Sequence, residues 1–296
     1  MKVTPLAEAV PRPRRVAVGT FDGVHLGHRE VIRGADTVLT FDPHPLQVIH
    51  PEAMPKLLDS FAVKRDLIAS LGVDELVILP FDREFAAQSH DRFVDAVLVE
   101  RLGATHVSVG ENFRFGRAAR GDAEYLRSRP EFETRIVPIV EVEGETVSSS
   151  HIRALVAAGD VAAAARFLGA PFRLEGEVVA GDRRGRRLGM PTANLVPDDR
   201  IAYPGHGVYA ASADGRPAAI NVGVRPTFES GRGVLIEAHL IDFDDDLYGR
   251  TIRIAFLARL RGERRFDSVE ALVEQMRADV ENARRICSAA ASVSRP

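Results

Sequence analysis

The sequence predicts a two-domain protein of α/β plus β class. A parallel-sheet domain is expected over residues 1–170 and a small antiparallel β-barrel with a C-terminal helix over 171–287, with a disordered tail over 288–296. Three observations predict this. The chain has 296 residues, room for two domains at roughly 100–200 residues each. In the first half, apolar runs of strand length alternate with helical spacing, which implies βαβ units and a parallel sheet. In the second half, strand-like runs follow one another across Gly and Pro clusters with no long helix between them, the pattern of a small barrel.

In order, strands are expected at Val16–Phe21, Thr37–Phe41, Glu75–Leu79, His106–Val109 and Ile136–Val142. Helical spacing runs from the Asp22-Gly23 turn to Ile32, from Ser60 to Leu71 and from Arg92 to Arg101. Two further helices, at Ser150–Ala157 and Asp160–Leu168, end at the breaker Gly169-Ala-Pro171, where the domain boundary is placed. Barrel strands are expected at Leu174–Val179, Gly207–Ala211, Ala218–Val222, Leu235–Asp242 and Ile252–Leu260. The closing helix carries Val269, Leu272, Val273, Met276 and Val280 at helical spacing, a stripe assigned to covering the barrel. Its start at Asp267–Glu270 has the form of a capping box.

Charge and composition narrow the function. The net charge is −3, without the basic excess typical of nucleic-acid binding. A single cysteine, Cys287, allows no disulfide within the chain, which fits a reducing, cytoplasmic setting. No apolar run approaches the ~18 residues of a membrane span. The only lysines are Lys2, Lys56 and Lys64. Beyond residue 64, nucleotide chemistry must therefore use arginine, backbone amides or a metal.

In parallel α/β sheets, ligands sit at the carboxyl ends of the strands, and the unusual residues of the first half fall there: His25 and His28, His44, and Asn112. His25 and His28 are three apart and share a face at a helix start, with Gly27 between them. Helix N-termini attract phosphate, and two imidazoles add donors. Taken as residue types alone, the pair also fits one capping and one buried histidine, or part of a zinc site. The segment Gly19-Thr-Phe-Asp-Gly-Val-His-Leu-Gly-His28 resembles the HxGH signature of the nucleotidylyltransferase superfamily, in the form shown by bacterial bifunctional riboflavin kinase/FMN adenylyltransferases. Thr40–Pro45, Val109–Gly116 with Gly121-Asp122, and Ser148–Arg153 resemble the same family in the same order. The resemblance implies a Rossmann-like nucleotidyltransferase domain in which His25 and His28 are catalytic. Gly19, Phe21, Gly27, Asn112, Ser149 and Arg153 then contact the nucleotide, and Asp42, His44 and Phe115 the flavin. By residue type, Phe113 and Phe115 could equally be core.

The likeness continues through Gly181–Asn194, which resembles the riboflavin kinase signature ending in Pro-Thr-Ala-Asn, and through Pro204–Ala210, Asn221–Phe228 and Glu237–Gly249. It implies Glu237 as the base, Thr192 and Asn194 as Mg2+ contacts, Gly189 at the nucleotide, and Asn221 and Arg225 at the flavin. Strand alternation puts Glu237, His239 and Ile241 on one face. The resemblance covers residues 16–287, and the stretches after Gly27 and from Tyr125 to Ile136 are shorter than the family pattern, the first predicting a short first helix. The substrates implied are riboflavin, FMN and ATP with Mg2+, and no nucleic acid or membrane. Two other readings stay open at this stage: a kinase whose first half only binds nucleotide, and a flavin-binding regulator of gene expression.

Overall fold

The computed structural model describes residues 1–180, 190–223 and 234–293. The chain forms two compact units, one of residues 1–55 and 64–149, the other of 56–63 and 150–296. Helix Ser149–Ala158 begins at the last residue of the first unit and runs into the second. Gly169 acts as a breaker, capping helix Val161–Leu168 in a left-handed conformation.

The first unit is built on a six-stranded sheet of β1 (Lys2–Pro5), β2 (Arg14–Val18), β3 (Thr37–Asp42), β4 (Glu75–Pro80), β5 (Ala104–Gly110) and β8 (Glu133–Val137). The spatial order is β1-β4-β3-β2-β5-β8, with every pair parallel. The central strands are apolar and buried on both faces, as at Val16, Ala17, Val38, Leu39, Leu76 and Val77, which is what crossover helices on both sides require. The chain runs from β2 outward through β3 and β4, then returns to β5 on the other side of β2. The order therefore reverses between β2 and β5, and their carboxyl ends open a crevice.

Strand β1 departs from the sequence expectation of a first strand at Val16. It is too short and too polar to show a strand pattern. Its pairing with β4 is completed by side chains: Thr4 Oγ1 donates to Glu75 Oε1 at 2.7 Å, and Arg14 Nη2 pairs with Glu75 Oε2 at 3.1 Å. The stretch expected at Ile136–Val142 divides into β8 and a separate two-residue strand, β9 (Glu141–Val142), paired with β10 (Glu145–Thr146). The helix expected from Arg92 starts at His90 and widens to a π-helix over Phe93–Arg101.

The second unit is a closed barrel of β11 (Phe172–Val179), β12 (Ala193–Pro197), β13 (Gly207–Ala213), β14 (Arg216–Gly223), β15 (Leu235–Leu240) and β16 (Thr251–Arg261), in the order β11-β12-β15-β14-β13-β16 and antiparallel throughout. Strand β12 was not among the expected strands, because its first residues, Ala193 and Asn194, lie within the Pro-Thr-Ala-Asn segment. The C-terminal helix, Val269–Val293, is capped by Ser268, whose hydroxyl accepts from Ala271 N at 3.1 Å, and not by Asp267. Its stripe divides. Val280 and Ile286 pack with buried Ala283 against the barrel, Leu272 and Met276 turn to a cavity, and Val269 is exposed. The tail expected to be disordered from Ser288 is helical to Val293, and Ala289–Ala291 favour helix.

Candidate active sites in the two units

In the first unit, α1 (Leu26–Ile32) is short, as expected from the trimmed stretch behind Gly27. His25 is its N-cap, and its Nδ1 accepts from the backbone N–H of His28 at 3.2 Å. Accepting there leaves the proton of the neutral ring on Nε2, which is thus a donor. The two imidazoles stack with centroids 3.5 Å apart, and the Phe21 edge meets His28 at 5.4 Å. A Cβ at Gly27 would lie 3.3 Å from the His25 ring, and one at Gly19 would lie 3.0 Å from the Phe21 ring, so both glycines make room for aromatic planes. Phe21 holds a left-handed φ of 51°, an uncommon conformation for a bulky residue, at the turn leaving β2.

Burial pulls the His25 imidazole down to about 4. Burial first, then the charges of His25 and Lys64, holds His28 well below its ordinary value. Both rings are neutral at physiological pH, so they present N–H donors and no fixed charge. The fixed charge comes from Lys64, whose buried ammonium donates to the Thr20 carbonyl at 3.0 Å; Thr40 Oγ1 donates to the same oxygen at 3.3 Å. Sequence reading counted Lys64 but gave it no role, because a lysine in a helix pattern looks like a solvated face. Its scarcity in this chain was the available signal.

The other expected residues occupy strand ends. Ser149 Oγ donates to the Asp22 carbonyl at 2.9 Å, joining the start of helix Ser149–Ala158 to the turn after β2. Asp42 ends β3, and His44 caps the next helix, accepting on Nδ1 from Leu46 N at 3.2 Å. Asn112 is exposed just beyond β5. Arg153 belongs to the second unit and donates to Ser150 Oγ at 3.3 Å. Phe115 lies just beyond β5. It is 8% exposed, with its ring 5.2 Å from Phe93 and 5.4 Å from Phe113 in the core beneath the sheet. It sits on the short antiparallel ribbon of β6 (Arg114–Phe115) and β7 (Gly121–Asp122), opposite Gly121.

In the second unit, Glu237 on β15 lies in register with Asn194 on β12 and with Asn221 on β14. The three expected residues therefore form one row across adjacent strands. Asn221 Nδ2 donates to Glu237 Oε2 at 3.2 Å, so this residue, expected at the flavin, orients the carboxylate. Alternation sends Ile236, Ala238 and Leu240 into the barrel, and Glu237 and His239 outward into a cavity of about 760 Å³. Thr192 and Asn221 line the same cavity, with Phe266, Leu272 and Met276 as an apolar wall. Arg261 shapes its far side, pairing with the buried Asp279 at 2.9 Å, where Gln275 also donates at 2.9 Å. Gly189 and Arg225 lie outside the described residues.

Each half thus carries its own polar constellation, and comparison with known proteins says what such a pair is. A family model described as FAD synthetase matches residues 7–151, and one described as riboflavin kinase matches 168–287. The chain is 37% identical over 291 residues to the bifunctional riboflavin kinase/FMN adenylyltransferase of Pseudomonas fluorescens, with 93% of each chain covered. It belongs to the bifunctional riboflavin kinase/FMN adenylyltransferase family.

A member of that family from Bacillus subtilis is 34% identical over 293 residues, with 92% of each chain covered. The whole fold is also similar to a crystal structure, that of a protein named macrolide-efflux protein from Streptococcus pneumoniae. The TM-score is 0.86 at 33% identity, with 96% of this chain and 99% of that one covered. Among the described residues, no helix of this family member is long and apolar enough to cross a membrane.

The oxygen donors Thr192 and Asn194 fit the preference of Mg2+ for oxygen ligands shared with phosphates and water. No group of three or more His, Cys, Asp or Glu able to hold a metal occurs among the described residues.

Proposed function

We propose that the chain is a cytoplasmic, ATP-dependent enzyme that phosphorylates riboflavin to FMN in the barrel unit and adenylylates FMN to FAD in the parallel-sheet unit. The observations that carry this reading are the stacked His25/His28 pair at the β2 end of the first unit and the Asn194–Glu237–Asn221 row beside the cavity of the second.

In the barrel, the attacking group is the primary alcohol of the ribityl chain, which loses a proton as its oxygen bonds to the γ-phosphorus of ATP. Glu237, held by Asn221, accepts that proton. The bond between the γ-phosphorus and the β,γ-bridging oxygen breaks, and ADP leaves. Thr192 and Asn194 are the residues that would hold Mg2+, which when bound neutralises phosphate charge. In the parallel-sheet unit, an FMN phosphate oxygen attacks the α-phosphorus of ATP and pyrophosphate leaves. The nucleophile is already an anion, so the chain needs no base there. His25 Nε2–H donates to the phosphates, with His28 stacked beside it, and Asn112 and Ser149 contact the nucleotide. Such chemistry asks mainly for position and charge stabilisation. Asp42 and His44, at the end of β3, contact the flavin.

Product analysis tests both steps. Purified protein with riboflavin, ATP and Mg2+ is expected to form FMN first and FAD after it. FMN alone refutes the adenylyltransferase half, and no conversion refutes both. Salt-sensitive binding to an RNA or DNA leader without conversion would instead support a regulator.

A further inference from the structure

Strand β15 puts His239 two residues beyond Glu237, on the same face and in the same cavity. Its Nδ1 lies 2.8 Å from the carbonyl oxygen of Pro191. A carbonyl only accepts, so Nδ1 carries the proton and donates it. The place of this bond matters. The β12–β15 ladder pairs Asn194 with Glu237 and Ala193 with Ala238, and then stops. The next position along β12 is Thr192 and the next along β15 is His239. There the side chain of His239 continues the connection that the backbone has ceased to make. The Pro191 carbonyl shares a planar peptide with the N–H of Thr192, so holding that oxygen fixes the plane from which the Thr192 side chain projects.

We propose that His239 is a positioning residue of the phosphorylation site, whose Nδ1–H holds the Pro191–Thr192 peptide so that the Thr192 hydroxyl stands at a fixed place relative to the Glu237 carboxylate. It rests on the kinase reading above. His239 itself takes no proton from the substrate in this role. It sets the spacing between the strand that carries the base and the strand that carries an oxygen donor. Phosphoryl transfer is sensitive to such spacing, since displacement of about 1 Å at a reacting group can cost on the order of 10²-fold in rate.

Two substitutions separate this role from general packing. The amide nitrogen of His239→Asn can take the place of Nδ1, bonded to Cγ. His239→Gln is also polar and closer in size to histidine, but carries its donor one bond further out, at the place of Nε2. The expected result is that H239N stays near wild-type FMN formation. H239Q loses about 10-fold or more in kcat and needs more Mg2+ for half-maximal rate, with the KM for riboflavin little changed. In both variants, FAD formation from supplied FMN stays at the wild-type rate and confirms a folded chain. A readout without metal or substrate accompanies this: 15N-histidine NMR of the free protein is expected to show His239 protonated on Nδ1. H239Q with wild-type kinetics, equal loss in both variants, or a His239 protonated only on Nε2 overturns the proposal while wild-type FMN formation leaves the kinase reading standing. Wild-type protein that forms no FMN overturns the kinase reading and this role with it.

Discussion

Acid should destabilise the protein through its histidine pair before carboxylate protonation contributes much. His25 is 6% exposed and titrates at about 4 in the folded chain, against 6.5 for an ordinary imidazole. The sign follows from proton counting. Between pH 6.5 and 4 the unfolded chain binds a proton at His25 that the folded chain refuses, so stability falls as pH falls, and above pH 7 the effect is absent. One pKa unit is worth about 1.4 kcal/mol, so His25 alone accounts for about 2 kcal/mol between pH 6.5 and 5. His28 shifts in the same direction and adds to it. The carboxylates held low by their partners, such as Glu75 and Asp198, lose their contribution below their ordinary values of 4.5 and 3.8. The window from pH 6.5 to 5 therefore mainly isolates the histidines. His25→Asn keeps a good N-cap and removes the titration. Urea unfolding followed by circular dichroism, at half-unit pH steps, should show a wild-type slope steeper than the variant's by about 1.4 kcal/mol per pH unit. Histidine Cε1–H NMR gives the titration directly. Parallel slopes for the two proteins, or a His25 resonance titrating near 6.5, would refute the reasoning.

Other expectations concern single side chains. Glu237→Gln should retain the fold and lower FMN formation by about 10²–10⁴-fold, while FAD formation from supplied FMN is unchanged; flavin chromatography reads both. Lys64→Met removes a buried ammonium donating to Thr20 and should cost about 1.5–3 kcal/mol in urea melts. It should also raise the His28 titration seen by NMR, because the Lys64 charge opposes protonation there. Asp279→Ala strands the Arg261 guanidinium and Gln275 at the cavity wall, at a cost of about 3–5 kcal/mol. The KM for riboflavin should rise with it, whereas the KM for FMN in adenylylation should not.

The periodicities of the sequence determined much of this protein. Residues such as Val38, Leu39, Leu76 and Val77 are buried on both faces of the sheet, and only a parallel sheet covered by helices hides such runs. Alternation placed Glu237 and His239 on one face of their strand, since a strand repeats every two residues. The histidine pair and the Pro-Thr-Ala-Asn segment were legible because their residue types and spacings are specific.

What only the tertiary structure decided depends on partners far apart in sequence. Strand β1 pairs with β4, seventy residues away, and Thr4 bonds Glu75 there. The Phe115 ring packs on Phe93, twenty-two residues away, a contact that its own segment does not encode. The neutrality of His25 and His28 comes from burial, which no local pattern encodes. The same holds for the row of Asn194, Glu237 and Asn221, drawn from three strands and aligned by ladder register. Local chemistry fixes which residues can act. Register and burial fix which of them stand together, because both are properties of chain segments brought into contact.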